Sequence, residues 1–188
     1  QIGLIMDGAS RDPDLVYITT RHEEAAGHMA ACISRVTDTM GVCFATVGPG
    51  ATNIVPGVAT AFADNIPMIV ITGQNQAHAI DPSIDQLQSL DQLGLFRSIT
   101  KWGAVVHHAS RAPELFERAV HIARSGRPGP VHLDIPCDVG THLCEYALDQ
   151  IPPFRLQRPL PCTEELERVA DALRAARRPL LIAGGGVA

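Results

Sequence analysis

No stretch of this 188-residue sequence is apolar for long enough to cross a bilayer. Lysine and arginine do not cluster, and the net charge is -5, so nucleic acid is not the expected partner. Gln1 to Ala9 lacks a basic stretch and a small-residue cleavage pattern, and no signal peptide is read there. The five cysteines (Cys32, Cys43, Cys137, Cys144 and Cys162) form no C-x-x-C pair and are odd in number. They read as small hydrophobes in a reducing compartment, which implies a cytoplasmic location. There is no G-x-G-x-x-G, no P-loop and no H-E-x-x-H. His22 and His28 do not share a helical face, so no zinc site and no other metal site is expected in this chain.

What is present is an ordinary globular composition, 46% hydrophobic and 19% charged. Short β-rich runs alternate with amphipathic ones. Leu15–Thr19, Val42–Val47, Met68–Thr72, Thr100–Val106 and Val131–Ile135 read as strands. Met68–Thr72 is almost continuously apolar, as suits a strand buried on both faces of a parallel sheet. Met29, Ile33, Val36 and Met40 mark the inward face of one helix, and Ile54, Val55, Val58, Ala59 and Phe62 that of a second. A third short helix should end near Phe96. Pro113 opens a fourth, with Leu115, Phe116, Ala119, Val120 and Ala123 inward.

This rhythm predicts an α/β fold, a three-layer parallel sheet with helices on both faces. Residues 1–148 are read as one domain whose N-terminal part is incomplete, and the proline-rich residues 149–162 as a linker. Residues 163–188 are read as the truncated start of a second α/β domain. There Thr163 caps a helix with Leu166, Val169, Ala170 and Leu173 inward, followed by a strand and the Gly184–Gly186 turn.

Ligands of such sheets bind at the carboxyl ends of strands, which singles out three loops. In Thr20–Glu24, Thr20 and Glu23 fit a capping box, a purely structural role. Gly48–Asn53 opens a helix after a strand and reads either as an anion site or as a ligand-free tight turn. Gln74, Gln88 and, beside Asp91, Gln92 carry amides that both donate and accept; they suit an uncharged heteroaromatic ring, or equally a solvated helix.

RHEEAAGHMA, VCFATVGPGATN, ADNIPMIVITGQ, SITKW and SGRPGPVHLDIPCDV occur in this order. Together they closely resemble the N-terminal pyrimidine-binding domain of the thiamine diphosphate-dependent acetolactate synthase family, a Rossmann-like fold. The resemblance is dense from Asp14 to Val139. It implies that Glu23 hydrogen-bonds N1′ of the aminopyrimidine and favours the imino tautomer, whose nitrogen takes the C2 proton. It implies further that Pro49, Gly50 and Asn53 line the pyrimidine, that Gln88 reaches the substrate side, and that Lys101 belongs to that side too. Mg²⁺ would be held by a G-D-G segment of a C-terminal domain outside this chain, and FAD, where used, by the central domain. A homodimer or homotetramer sharing each site between subunits is implied, as is a 2-oxo acid or acyloin substrate, with this piece alone inactive. Glu24 stands where relatives often carry Gln. The L-Q-S-L-D-Q element is similar to benzaldehyde lyase and related carboligases, so lyases, including 2-hydroxyacyl-CoA lyase-like ones, and decarboxylases stay beside synthases. A non-catalytic Rossmann-like nucleotide-binding module is the competing reading from another class.

Overall fold

A computed structural model describes residues 2–37, 39–80, 86–145 and 160–187. The chain divides into two compact units, Gln1–Phe154 and Arg155–Ala188.

The first unit is built on four parallel strands: β1 (Gly41–Ala45), β2 (Met68–Gln74), β3 (Trp102–Val105) and β4 (Pro130–Pro136), in the order β1-β2-β4-β3. β2 and β4 are central and buried along their whole length. Alternation then sends side chains to opposite faces. Met68 and Val70 join Cys43 and Ala45 under α2 (Glu23–Val36) and α4 (Val55–Ala63). Ile69 and Ile71 join Val131, Leu133 and Ile135 under α6 (Ala112–Arg124), which contributes Leu115, Ala119 and Ala123. This is the expected three-layer arrangement, and each parallel crossover carries a helix. α1 (Gly3–Arg11) precedes the sheet, α3 (Pro49–Asn53) follows β1, and α5 (Gln92–Phe96) precedes β3.

Two sequence expectations change here. Leu15–Thr19 forms no strand and joins no ladder, with Val16 90% exposed. An apolar run becomes a strand only where a neighbour offers its N–H and C=O groups, and this one has no hydrogen-bonded neighbour among the described residues. The inward face of α2 is also not the one predicted. Met29, Ile33 and Val36 are exposed, whereas Gly27, Ala30 and Ala31 are buried. The cause is close packing. A Cβ on Gly57 would lie 2.7 Å from the Gly27 carbonyl carbon, so α2 and α4 touch backbone to backbone through their small residues. Met29 and Ile33 are left facing an open groove of about 320 Å³, lined also by Val16, Tyr17 and Ile18 and by β1.

In the second unit, the expected helix forms as α7 (Thr163–Ala175). Its N-cap is Cys162 rather than Thr163, and Leu166, Val169 and Leu173 are exposed, with no buried residue among the described ones in this unit. So short a segment offers nothing to bury them against. Leu180–Ile182 is not a strand, and Gly185–Val187 forms a single 3₁₀ turn. Most of the expected linker, at 149–159, lies outside the described residues.

Candidate functional site

Glu23 is the first residue of α2, but Thr20 does not cap that helix. The N-cap is His22, whose Nδ1 accepts from the Glu24 N–H at 3.2 Å, while the Thr20 hydroxyl donates to the His22 carbonyl. The capping-box reading of Glu23 is thereby overturned: the imidazole serves the helix terminus, and the carboxylate is left for other work. Its Oε2 accepts from Asn53 Nδ2 at 3.1 Å, at a half-buried position. Glu24 is turned aside toward His28, 3.8 Å away on the exposed face. The two adjacent acids are separated by the helical turn, and only Glu23 faces the Gly48–Asn53 loop.

That loop starts with Gly48 at φ +65°, ψ -107°, followed by Pro49 at the head of α3. Proline fits there because a first-turn N–H would lack a helical partner. The anion reading fails at this turn. The Gly48 N–H donates to Gln92 Oε1 at 2.9 Å, Pro49 has no N–H, and α3 is only five residues long. Gly50 is buried beneath the acid. A Cβ there would lie 2.8 Å from Thr46 Cγ2 and 3.5 Å from Glu23 Oε1. The absent side chain leaves the carboxylate room on that side.

Gln88, itself at φ +64°, reaches the same turn. A Cβ on Gly48 would lie 2.6 Å from the Gln88 carbonyl oxygen, so their backbones are packed together. Glu23, Gly50, Asn53 and Gln88 thus gather beyond the carboxyl end of β1, with Pro49 exposed among them. Lys101 does not join them. It precedes β3, at the opposite end of the sheet, and its Nζ donates to the carbonyls of Ile122 and Ser125 (2.7 Å to the latter) at the C-terminus of α6. In this chain it acts as a cationic cap on that helix.

Below the turn lies a polar cluster that the loop-by-loop reading missed. Gln74 and Gln92 are not ring-facing or solvated; they are 4% and 1% exposed. Asp134 Oδ1 accepts from Thr72 Oγ1 at 2.7 Å and from Gln92 Nε2 at 2.6 Å, and its Oδ2 accepts from Gln74 Nε2 at 3.0 Å. Burial pushes the Asp134 carboxyl up to about 6 against these three bonds. His132 Nε2 lies 2.7 Å from Thr72 Oγ1. Because the single hydroxyl proton of Thr72 goes to Asp134, the imidazole donates and its Nδ1 carries the lone pair. Nδ1 has no partner among the described residues, Phe96 stacks on the ring at 4.3 Å, and burial lowers the histidine to about 3. The signal was legible in principle. His132 and Asp134 alternate with Val131, Leu133 and Ile135, which places both on one face of a buried strand.

No group of metal-ligating side chains occurs among the described residues. None of the described helices is long and apolar enough to cross a membrane.

Comparison with known proteins joins this geometry to a lineage. Residues 2–95 match the family described as thiamine pyrophosphate enzyme, N-terminal TPP binding domain. The chain is 42% identical over 185 residues to the probable acetolactate synthase large subunit of Methanocaldococcus jannaschii, covering 94% of this chain and 30% of the relative. It is 39% identical over 183 residues to the acetolactate synthase isozyme 1 large subunit of Escherichia coli (97% and 32%). It is also 39% identical over 171 residues to the probable 2-ketoarginine decarboxylase AruI of Pseudomonas aeruginosa (90% and 31%). The chain therefore spans about a third of the length of these relatives. On this match and this fold, the chain belongs to the acetolactate synthase-like thiamine pyrophosphate enzymes, as their N-terminal TPP-binding domain.

Proposed function

We propose that this chain supplies the pyrimidine side of a thiamine diphosphate site, with Glu23 as the group that activates the cofactor through N1′ of the aminopyrimidine. The carrying observation is the placement of Glu23: freed from capping by His22, steadied by Asn53 and left open space by Gly50. A ring nitrogen that shares a proton requires a carboxylate in a partly desolvated place, and this donor set fits that group. When bound, the cofactor supplies the carbanion chemistry. The chain's part is to hold a proton between Glu23 and N1′, to line the ring with Pro49, Gly50 and Asn53, and to present Gln88 toward the substrate.

The reaction is proposed as 2-oxo acid chemistry, carboligation or cleavage, which a synthase and a 2-ketoarginine decarboxylase have in common. Benzaldehyde lyase-like and 2-hydroxyacyl-CoA lyase-like enzymes fall within it. Residues 1–148 act as the pyrimidine domain and 163–188 begin the next. Mg²⁺ and any FAD are assigned to other domains, and a second subunit completes each site. The free thiols accord with a cytoplasmic setting.

The test is Glu23→Gln in the complete enzyme. Exchange of the cofactor C2 proton should slow by about 10²–10⁴-fold, the usual worth of a positioned proton-transfer group. Exchange at the unmodified rate would overturn the assignment.

A further inference from the structure

We infer that Gln92 is a positioning residue for this site: anchored by Asp134, it fixes the Gly48 turn and through it the Gly50 and Asn53 groups that face Glu23. The inference rests on the reading of that group as the pyrimidine side.

A turn at φ +65° and ψ -107° is one that glycine enters and leaves easily, so its geometry must be imposed from outside. Two neighbours impose it, and both come from the segment before β3. The backbone of Gln88 occupies the space where a Cβ on Gly48 would stand. The side chain of Gln92 takes the Gly48 N–H at 2.9 Å. The Gly48 carbonyl accepts from Thr52 N at 2.9 Å and so starts α3, which carries Gly50 and Asn53.

Gln92 could not do this if its amide were free to rotate. Its two Nε2 hydrogens go to Asp134 Oδ1 at 2.6 Å and to the Gly73 carbonyl at 3.0 Å. Gln92 and Asp134 are each 1% exposed, so water does not compete for these bonds. A carboxylate accepting from the amide nitrogen also polarises the amide and strengthens Oε1 as an acceptor. The relay runs from the end of β4, through α5, to the Gly48 turn, then along α3 to Asn53 and the Glu23 carboxylate at 3.1 Å. Its polarity is one-way. The Asp134 carboxylate can only accept, the Gly48 N–H can only donate, and a side chain that does both is required between them.

The complete enzyme tests this in two ways. Without cofactor, Gln92→Met should raise amide hydrogen exchange across residues 46–53 at least tenfold. With Mg²⁺ present, it should weaken thiamine diphosphate binding by about tenfold, the expected effect of one buried hydrogen bond left unmade. Turnover at saturating cofactor should change far less than affinity. Gln92→Glu keeps an acceptor for the Gly48 N–H but has no hydrogen to give Asp134 or the Gly73 carbonyl, so it should weaken cofactor binding at least as much as Gln92→Met, and native affinity in it would overturn the inference. Native exchange and native affinity in a folded Gln92→Met variant overturn the inference. If that variant does not fold, the parent enzyme decides: a Gly48 amide as protected from exchange as those of β2 and β4 supports the relay, and one that exchanges like an exposed loop overturns it. Failure of the cofactor reading looks different. Glu23→Gln would then leave C2 exchange unaltered, while the amide-exchange effect of Gln92→Met would stand.

Discussion

Asn53 Nδ2 donates to Glu23 Oε2 at 3.1 Å, joining the end of α3 to the start of α2 across thirty residues of chain. The two helices leave opposite ends of β1 in sequence, and this bond brings their functional side chains to one point. Asn53→Ala should therefore loosen the carboxylate without disturbing the core, since Asn53 is only half-buried. The expected result is a roughly tenfold loss of turnover, consistent with about 1 kcal/mol for a net hydrogen bond, and an unchanged melting temperature. Steady-state kinetics beside a thermal melt would show it; full activity would mean that Asn53 does not orient Glu23.

Asp134 and His132 give a pH signature. The folded carboxyl is raised from 3.8 to about 6, so its contribution to stability grows as pH falls from 6 toward 3.8. The folded imidazole is lowered from 6.5 to about 3, so its contribution shrinks as pH falls below 6.5. Between pH 6 and 4 the two cancel. Asp134→Asn removes the first and leaves the second. Relative to the parent, the variant should lose stability on acidification by about 1 kcal/mol per pH unit over that window. Urea unfolding at pH 4, 5, 6 and 7 measures the difference, and a difference that does not vary with pH would contradict the raised carboxyl.

Lys101 is held by burial below its ordinary value and donates to the carbonyls of Ile122 and Ser125. Lys101→Met keeps the aliphatic stem and leaves those carbonyls without their donor. Stability should fall by about 1.5–3 kcal/mol, the usual worth of a hydrogen bond to a charged group, with kcat/KM unaltered. A selective loss of kcat/KM at constant stability would return the lysine to the substrate side.

Much of the fold was legible because the relevant signals are local. A nearly continuous apolar run marked β2, the β-rich VHLDI run marked β4, and Pro113 marked the start of α6. The errors arose where a residue's fate depended on something distant in sequence. Leu15–Thr19 has strand composition but no ladder partner. Met29 and Ile33 have helical spacing, yet the contact between Gly27 and Gly57 turned α2 to present its small side. Thr20 fits a capping box, but His22 lies nearer the helix start and took the cap.

The site divides along the same line. Glu23, Pro49, Gly50, Asn53 and Gln88 were named from the family resemblance, whose motifs fall in loops that directly follow a predicted strand. The sequence by itself determined an α/β domain with its chemistry at the carboxyl ends of the strands, since hydrophobic period and glycine turns are properties of short segments. Only the tertiary structure decided that Asn53 rather than Thr20 engages Glu23, that Lys101 lies at the other end of the sheet, and that Gln92 links Asp134 to Gly48. Those are hydrogen bonds between residues far apart in the chain, and their partners are chosen by packing.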